Sequence, residues 1–158
     1  MDDVEDFLST VVPRLAAESL ALQNGDPAPR MAMWSHDDPV TLFGAELNGR
    51  GWAEVQPAFE WLAASFSGGE SVDYEVLAAG VSGDLGYLVA IERSVLSRDG
   101  APPTRIDLRV TLILRREDDA WKVVHRHGDP YDAPTRDVLA ARAATVRPRG
   151  PRGRTSPG

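Results

Sequence analysis

The sequence contains no cysteine, which excludes disulfide bonds, thiolate catalysis and cysteine metal ligands. It also has no run of 18 apolar residues, which is about the length a helix needs to cross a bilayer. Four of the first seven residues are acidic, whereas a secretory signal begins with basic residues. These absences lead us to expect a cytoplasmic protein that does not bind membranes.

Positive charge is also scarce, because 17 Lys and Arg stand against 24 Asp and Glu and give a net charge of −7. This balance argues against a nucleic-acid-binding surface on the folded part. The last fourteen residues differ, since they hold four Arg, no acidic residue and much Pro and Gly. We therefore predict one domain over residues 1–137, and over 138–158 a short helix followed by a disordered basic tail.

The clearest pattern lies between residues 104 and 130. One face of the first run is apolar and consists of Ile106, Leu108, Val110, Leu112 and Leu114. The opposite face carries Asp107, Arg109, Thr111 and Ile113. An acidic turn at 117–119 leads into a second alternating run that ends at Pro130. This alternation predicts a β-hairpin in which one face carries an arginine and a threonine.

The elements before this hairpin alternate in type. Apolar spacing and turn residues predict helices over 3–23, 27–33 and 52–66, a turn over 49–51, and strands over 71–80 and 84–97. Residues 34–44 are predicted to form a strand pair or one strand broken at Pro39. Pro13 is expected to kink or divide the first helix. Helices followed by four antiparallel strands predict an α+β fold, in which a long curved sheet closes only partly and leaves a cavity.

Four segments together resemble the SnoaL-like group of the NTF2-like superfamily, over about residues 3–132. They are a helix ending in NGDP, the following MAMWS, a mid-chain helix that begins GW and contains WL, and the final LRVTLILRREDDAWKVVHRHGD. The resemblance implies a cone-shaped α+β barrel, with a curved mixed or antiparallel sheet wrapped around the N-terminal helices. It also implies a ligand cavity and a homodimer. Proteins of this fold include isomerases, cyclases, dehydratases, hydrolases and non-catalytic binders, so the fold does not identify the reaction.

Ketosteroid isomerase has a similar fold, and it uses an Asp base with a Tyr and a protonated Asp as its oxyanion hole. Alignment of its base strand with WSHDDPVTLFGA places Phe43 near the base position. The same alignment places Thr111 near the protonated Asp. Both differences argue against isomerase chemistry of that kind, and the catalytic residues stay unknown.

The candidate polar site rests on how the last three strands pair. If Ser97 pairs with Thr104, Glu92 lies opposite Arg109. If Arg116 pairs with Trp121, Thr111 lies beside Arg126. The four residues Glu92, Arg109, Thr111 and Arg126 would then share the concave face. They could bind a carboxylate or another oxygen-rich group, or Glu92 and Arg109 could simply neutralise each other.

Aromatic and histidine side chains supply the other candidates. Trp34, His36 and Phe43 on the first strand complete the predicted ligand-binding set. Trp34 could form a cavity wall, or it could anchor the helix to the sheet. His36 and Asp38 could act as an acid–base pair, although an Asp-Pro step is also common in turns. His125 and His127 could bind a metal with His36 or Asp129, or act as bases, but packing is favoured. We predict no metal and no cofactor.

These residues support two classes of function. The first is a cavity protein that binds a small, mostly apolar molecule with an oxygen-bearing end, with isomerisation, cyclisation or hydration by proton transfer as its chemistry. The second is a non-catalytic dimeric binding or assembly domain. The apolar row of the hairpin, with Val123 beside it, is predicted to be uncovered by helices and to form the homodimer contact.

Overall fold

The computed structural model of the protein describes residues 2–145. The helices are α1 (Asp3–Gln23), α2 (Ala28–Met33), α3 (Trp52–Ser65) and α4 (Ala133–Thr145). The strands are β1 (Thr41–Phe43), β2 (Asn48–Arg50), β3 (Phe66–Ser82), β4 (Leu85–Arg98), β5 (Thr104–Glu117) and β6 (Ala120–Pro130). The predicted α+β class is confirmed. The final helix begins earlier than predicted, and the predicted basic tail lies outside the described residues.

The six strands form one curved, unclosed sheet in the order β2-β1-β6-β5-β4-β3. β1 runs parallel to β6, and the other neighbouring pairs are antiparallel. The sheet is mixed because β1 reaches β6 from a distant part of the chain, whereas the long strands β3 to β6 follow one another through turns. The helices α1 and α3 pack on its inner, concave face.

The first helix is one continuous element and not two, although Pro13 lies inside it. Phe7 and Val11 before the proline and Leu15 after it are all buried in the same core. Burial of about three such side chains outweighs the roughly 3 kcal/mol that an interior proline costs. Packing on the sheet therefore holds both halves in one helix.

The prediction that helices leave the apolar row of the hairpin uncovered is wrong, so this row cannot form the homodimer contact. Val110, Leu112, Leu114 and Val123 are all almost fully buried in the main core. Phe7 and Phe59 bring the two long helices onto this core. The exposed face of the sheet is therefore the opposite one, and the homodimer itself stays a prediction.

The hairpin turn was predicted correctly, but the strand pairing was not. The turn residues Asp118 and Asp119 both have positive φ, which suits a two-residue hairpin turn, and Arg116 pairs with Trp121 as expected. Further along, Leu114 pairs with Val123 but Ile113 pairs with His125. The intervening residue, Val124, is thus an extra residue in β6, a β-bulge.

Because of this bulge, every later residue of β6 shares a face with different β5 residues from those that the predicted pairing gives. Arg126 pairs with Leu112 and turns inward, and Thr111 pairs with His127 on the outer face. At the other end of β5, Thr104 pairs with Leu96 and not with Ser97.

Candidate functional site

A cavity of about 90 Å³ lies between the helices and the concave face of the sheet. Apolar residues form most of its wall and include Leu22, Leu42, Leu47, Phe59, Leu62, Phe66, Leu96, Ile106, Leu108 and Leu139. The polar residues of the wall are Gln23, Arg30, Glu46, Glu92, Ser94 and Arg126. A water molecule needs roughly 10–15 Å³ on this measure, so the cavity can hold several waters or a small organic molecule.

A continuous chain of polar groups, all buried except the half-buried Tyr74, runs along and behind one side of this cavity. Arg30 Nε donates to Glu18 Oε2 at 2.5 Å, and Arg30 Nη2 donates to Ser19 Oγ at 2.8 Å. Ser19 Oγ lies 3.0 Å from the hydroxyl of Tyr74, which donates to Glu92 Oε2 at 2.5 Å.

The chain ends at Arg126, whose Nη2 lies 3.0 Å from the same oxygen, Oε2 of Glu92. The side chains of Arg126 and Glu92 are only 7% and 5% exposed. Five separate elements, α1, α2, β3, β4 and β6, therefore meet at one buried network, which we call the Arg126–Glu18 network (Glu18, Ser19, Arg30, Tyr74, Glu92 and Arg126).

Local structure explains how these side chains come together. Glu18 and Ser19 follow Leu15 by three and four residues in α1, so they lie on the helix stripe that faces the core. Tyr74 pairs directly with Glu92 across β3 and β4. The bulge in β6 then turns the side chain of Arg126 toward them.

Burial and neighbouring charges shift the pKa values of three groups in the network. Burial alone would raise the pKa of Glu92, but the charges of Arg126 and Arg30 outweigh it and hold this pKa below its ordinary value. Burial raises the pKa of Glu18, although the charge of Arg30 opposes the rise. Burial and the charge of Glu92 also raise the pKa of Tyr74, so its hydroxyl stays a neutral donor.

Two buried side-chain atoms of residues that line the cavity have no hydrogen-bond partner among residues 2–145. They are Nη1 of Arg126 and Oε1 of Gln23, and both are buried. A buried polar group without a partner is costly, and in native proteins such groups often mark a site where a water or ligand binds. The guanidinium of Arg126 therefore has one nitrogen, Nη1, whose N–H groups have no acceptor after its ion pair with Glu92.

Two of the seven predicted ligand-binding residues, Glu92 and Arg126, line this cavity. The predicted cross-strand pair of Glu92 and Arg109 is wrong, since Glu92 pairs with Leu108 and Arg109 with Ile91. Arg109 lies on the outer face, where Nε and Nη2 donate to Asp129 at 2.8 and 2.7 Å.

The other four candidates lie away from the cavity wall. Thr111 lies on the outer face, opposite His127. Phe43 also points outward and is 45% exposed, whereas its neighbour Leu42 lines the cavity. Trp34 is buried beside Phe59 at a ring distance of 5.1 Å, and it is Phe59 that lines the cavity.

His36 and Asp38 do not form an acid–base pair. The His36 ring stacks on Trp52 at 4.0 Å, and its Nε2 lies 2.7 Å from the carbonyl oxygen of Met31. Asp38 accepts a hydrogen bond from the backbone N–H of Trp52 at 2.8 Å, which satisfies a donor at the start of α3. His36 thus connects α2 with α3, and Asp38 caps the start of α3.

His125 and His127 share a face as predicted, but it is the outer face and not the face of Val123. Phe43 contacts both rings edge-on, at 5.4 and 5.8 Å. His125 Nδ1 lies 2.6 Å from Thr41 Oγ1, and burial and the nearby His127 lower the pKa of His125. In the part of the chain that the structure describes, no three His, Asp or Glu side chains are grouped to hold a metal ion.

The site residues that the sequence prediction missed are Glu18, Ser19, Gln23, Arg30 and Tyr74. One signal for two of them was available, because Glu18 and Ser19 interrupt an apolar helical stripe where core residues are expected. Arg30 carried no such signal, since an arginine in a six-residue helix is normally exposed.

Comparisons with known proteins agree with the fold described above. The family model described as the SnoaL-like domain matches residues 15–131. None of the curated proteins matches the sequence. No helix among the described residues is both long and apolar enough to span a membrane.

Solved structures with the same fold share little sequence with this chain. An NTF2-like superfamily protein from Salmonella enterica serovar Typhimurium is 13% identical, with a TM-score of 0.69, over 82% of this chain and 94% of its own. A proposed dehydratase of the NTF2-like family from Streptomyces avermitilis is 20% identical, with a TM-score of 0.64, over 82% and 99%. A proposed ketosteroid isomerase from Parabacteroides distasonis is 18% identical, with a TM-score of 0.60, over 84% and 91%. Identities this low support the fold alone, whereas the family model covers most of the chain, and the protein therefore belongs to the SnoaL-like family.

Proposed function

We propose that this protein binds a small, mostly apolar molecule in the cavity, with an oxygen-bearing end directed at Arg126. The observation that carries the proposal is the unpartnered Nη1 of Arg126, a buried donor on a residue of an otherwise largely apolar wall. Binding sites of this kind combine apolar walls with a few polar groups that fix the orientation of the ligand. An acceptor on the ligand would complete the hydrogen bonds of the guanidinium.

Proton transfer is the chemistry that such a site could add to binding. Glu92 is the carboxylate of the network that lies on the cavity wall, and it is held ionised, so it is the candidate base. Arg126 would stabilise negative charge that develops on the ligand oxygen. Isomerisation, cyclisation or hydration of a carbonyl compound would then need no cofactor, and the resemblance to a proposed dehydratase and a proposed ketosteroid isomerase fits this class.

One observation favours the non-catalytic alternative. Glu92 already accepts hydrogen bonds from Tyr74 and forms an ion pair with Arg126, and its lowered pKa makes it a weak base. Glu18 is likewise engaged by Arg30. Because both carboxylates are already paired with arginines, the cavity favours binding without reaction.

Binding is tested with cyclohexyl methyl ketone and cyclohexanecarboxylate as probes, by ligand-observed NMR and calorimetry. We expect at least one probe to bind, and Arg126→Lys to weaken that binding by roughly 10–100-fold, because a hydrogen bond to a charged group is lost. The matched control is Arg109→Lys on the outer face, which should bind as the wild type does. An unchanged dissociation constant in Arg126→Lys, or no binding of either probe at millimolar concentration, would refute the proposal.

Catalysis is tested separately with the same ketone in D₂O. If Glu92 removes the proton next to the carbonyl, the protein accelerates deuterium incorporation at that carbon, and Glu92→Gln abolishes the acceleration. Binding without accelerated exchange would leave the non-catalytic alternative as the function.

A further inference from the structure

The charges around the cavity are already balanced. Arg126 is paired with Glu92 at 3.0 Å, and Arg30 with Glu18 at 2.5 Å. The remaining charged residue of the wall, Glu46, is paired with Arg98, whose side chain is only 4% exposed. Each charge on the cavity wall thus has a buried or largely buried counter-charge of its own.

This balance decides what kind of oxygen the cavity can accept. A carboxylate or phosphate would bring a net negative charge into a buried, mostly apolar site whose cations are already neutralised. It would also lie near Glu92, which shares Arg126 with it, and like charges in such a site repel strongly. A neutral carbonyl or hydroxyl oxygen could accept from Nη1 of Arg126 at no such cost.

We propose that the cavity selects an uncharged ligand, in which a carbonyl or hydroxyl oxygen accepts from Arg126, and rejects carboxylates of the same shape. The inference rests on the proposed function, since it names the class of molecule that the same site would bind. It narrows the expectation from sequence, which was a carboxylate or another oxygen-rich group, to an uncharged oxygen-bearing group.

The experiment compares three probes on one carbon skeleton: cyclohexyl methyl ketone, cyclohexanecarboxamide and cyclohexanecarboxylate. Their dissociation constants are measured at pH 7 for the full chain. For the wild type we expect both neutral probes to bind at least about tenfold more tightly than the carboxylate, since a like-charge contact is avoided.

A charge-removing variant makes the test specific to Glu92. Glu92→Gln leaves the guanidinium of Arg126 without its counter-charge, so the preference should reverse and the carboxylate should bind more tightly than the carboxamide. The matched control is Asp129→Asn, which removes one negative charge from the outer face, where Asp129 pairs with Arg109. This control should keep the wild-type order of affinities.

The outcomes separate the two proposals. If no probe binds the wild type, both the proposed function and this inference are refuted. If the carboxylate binds the wild type as tightly as the neutral probes, the inference is overturned while the proposed function stands. An unchanged order of affinities in folded Glu92→Gln would also overturn the inference. Should that variant not fold, the order of affinities in the wild type decides alone.

Discussion

Replacement of Arg126 by Met is the most informative test of the buried network. The substitution keeps most of the volume of the side chain but leaves the carboxylate of Glu92, only 5% exposed, without its guanidinium. Removal of one partner of a buried ion pair typically costs about 3–5 kcal/mol. For a chain of this size, that loss corresponds to a melting temperature lowered by roughly 6–20 °C.

Urea unfolding followed by tryptophan fluorescence measures the loss directly. The double variant Arg126→Met with Glu92→Gln should recover part of the stability, because the unpaired charge is then removed as well. Arg109→Met is the matched control on the outer face, where the side chain is 62% exposed, and it should melt close to the wild type. If the free energy of unfolding of Arg126→Met lies within about 1 kcal/mol of the wild-type value, Glu92 contacts solvent or another partner, and the buried ion pair does not stabilise the fold as argued.

The pH dependence of this loss has a defined sign. In the wild type the pKa of Glu92 is lowered on folding, so its contribution to stability is present above the unfolded value of about 4.3 and is lost as the pH falls below it. Without Arg126, burial raises this pKa, so the variant loses stability as the pH rises from about 4.3. The difference in free energy of unfolding between the wild type and Arg126→Met should therefore become smaller as the pH is lowered from 7 to 4. A difference that is constant or grows at low pH would contradict this assignment of charge.

Three further predictions concern the packing around the site and the outer face. Tyr74→Phe removes a hydroxyl that bonds Ser19 and Glu92, and it should lower the free energy of unfolding by about 1.5–3 kcal/mol in urea titrations, as for a hydrogen bond to a charged group. Gly86→Ala should cost about 1–3 kcal/mol in the same assay, because the added methyl would lie 2.8 Å from the buried ring of Phe7. We also expect light scattering to give twice the 17.1 kDa mass of one chain, and Ile113→Arg on the exposed outer face to give a single-chain mass. A single-chain mass for the wild type would contradict the dimer.

Local patterns in the sequence were enough to predict most of the elements. Alternation identified the hairpin of β5 and β6, and apolar spacing identified α1 and α3. The two acidic turn residues indicated the correct pairing of Arg116 with Trp121. These features depend on residues that are neighbours in the chain, so the sequence by itself determined them.

The composition of the site was decided only by the tertiary structure. A strand alternates with a period of two, so one extra residue, Val124, was sufficient to move Arg126 into the core while Thr111 stayed outside. A one-residue difference in the pairing of β4 with β5 likewise separated Glu92 from Arg109. Nothing in the local pattern of a single strand shows a bulge or tells which face the helices will cover. That choice depends on packing between distant segments, and it brought Arg30 and Tyr74 into a network that the sequence alone did not predict.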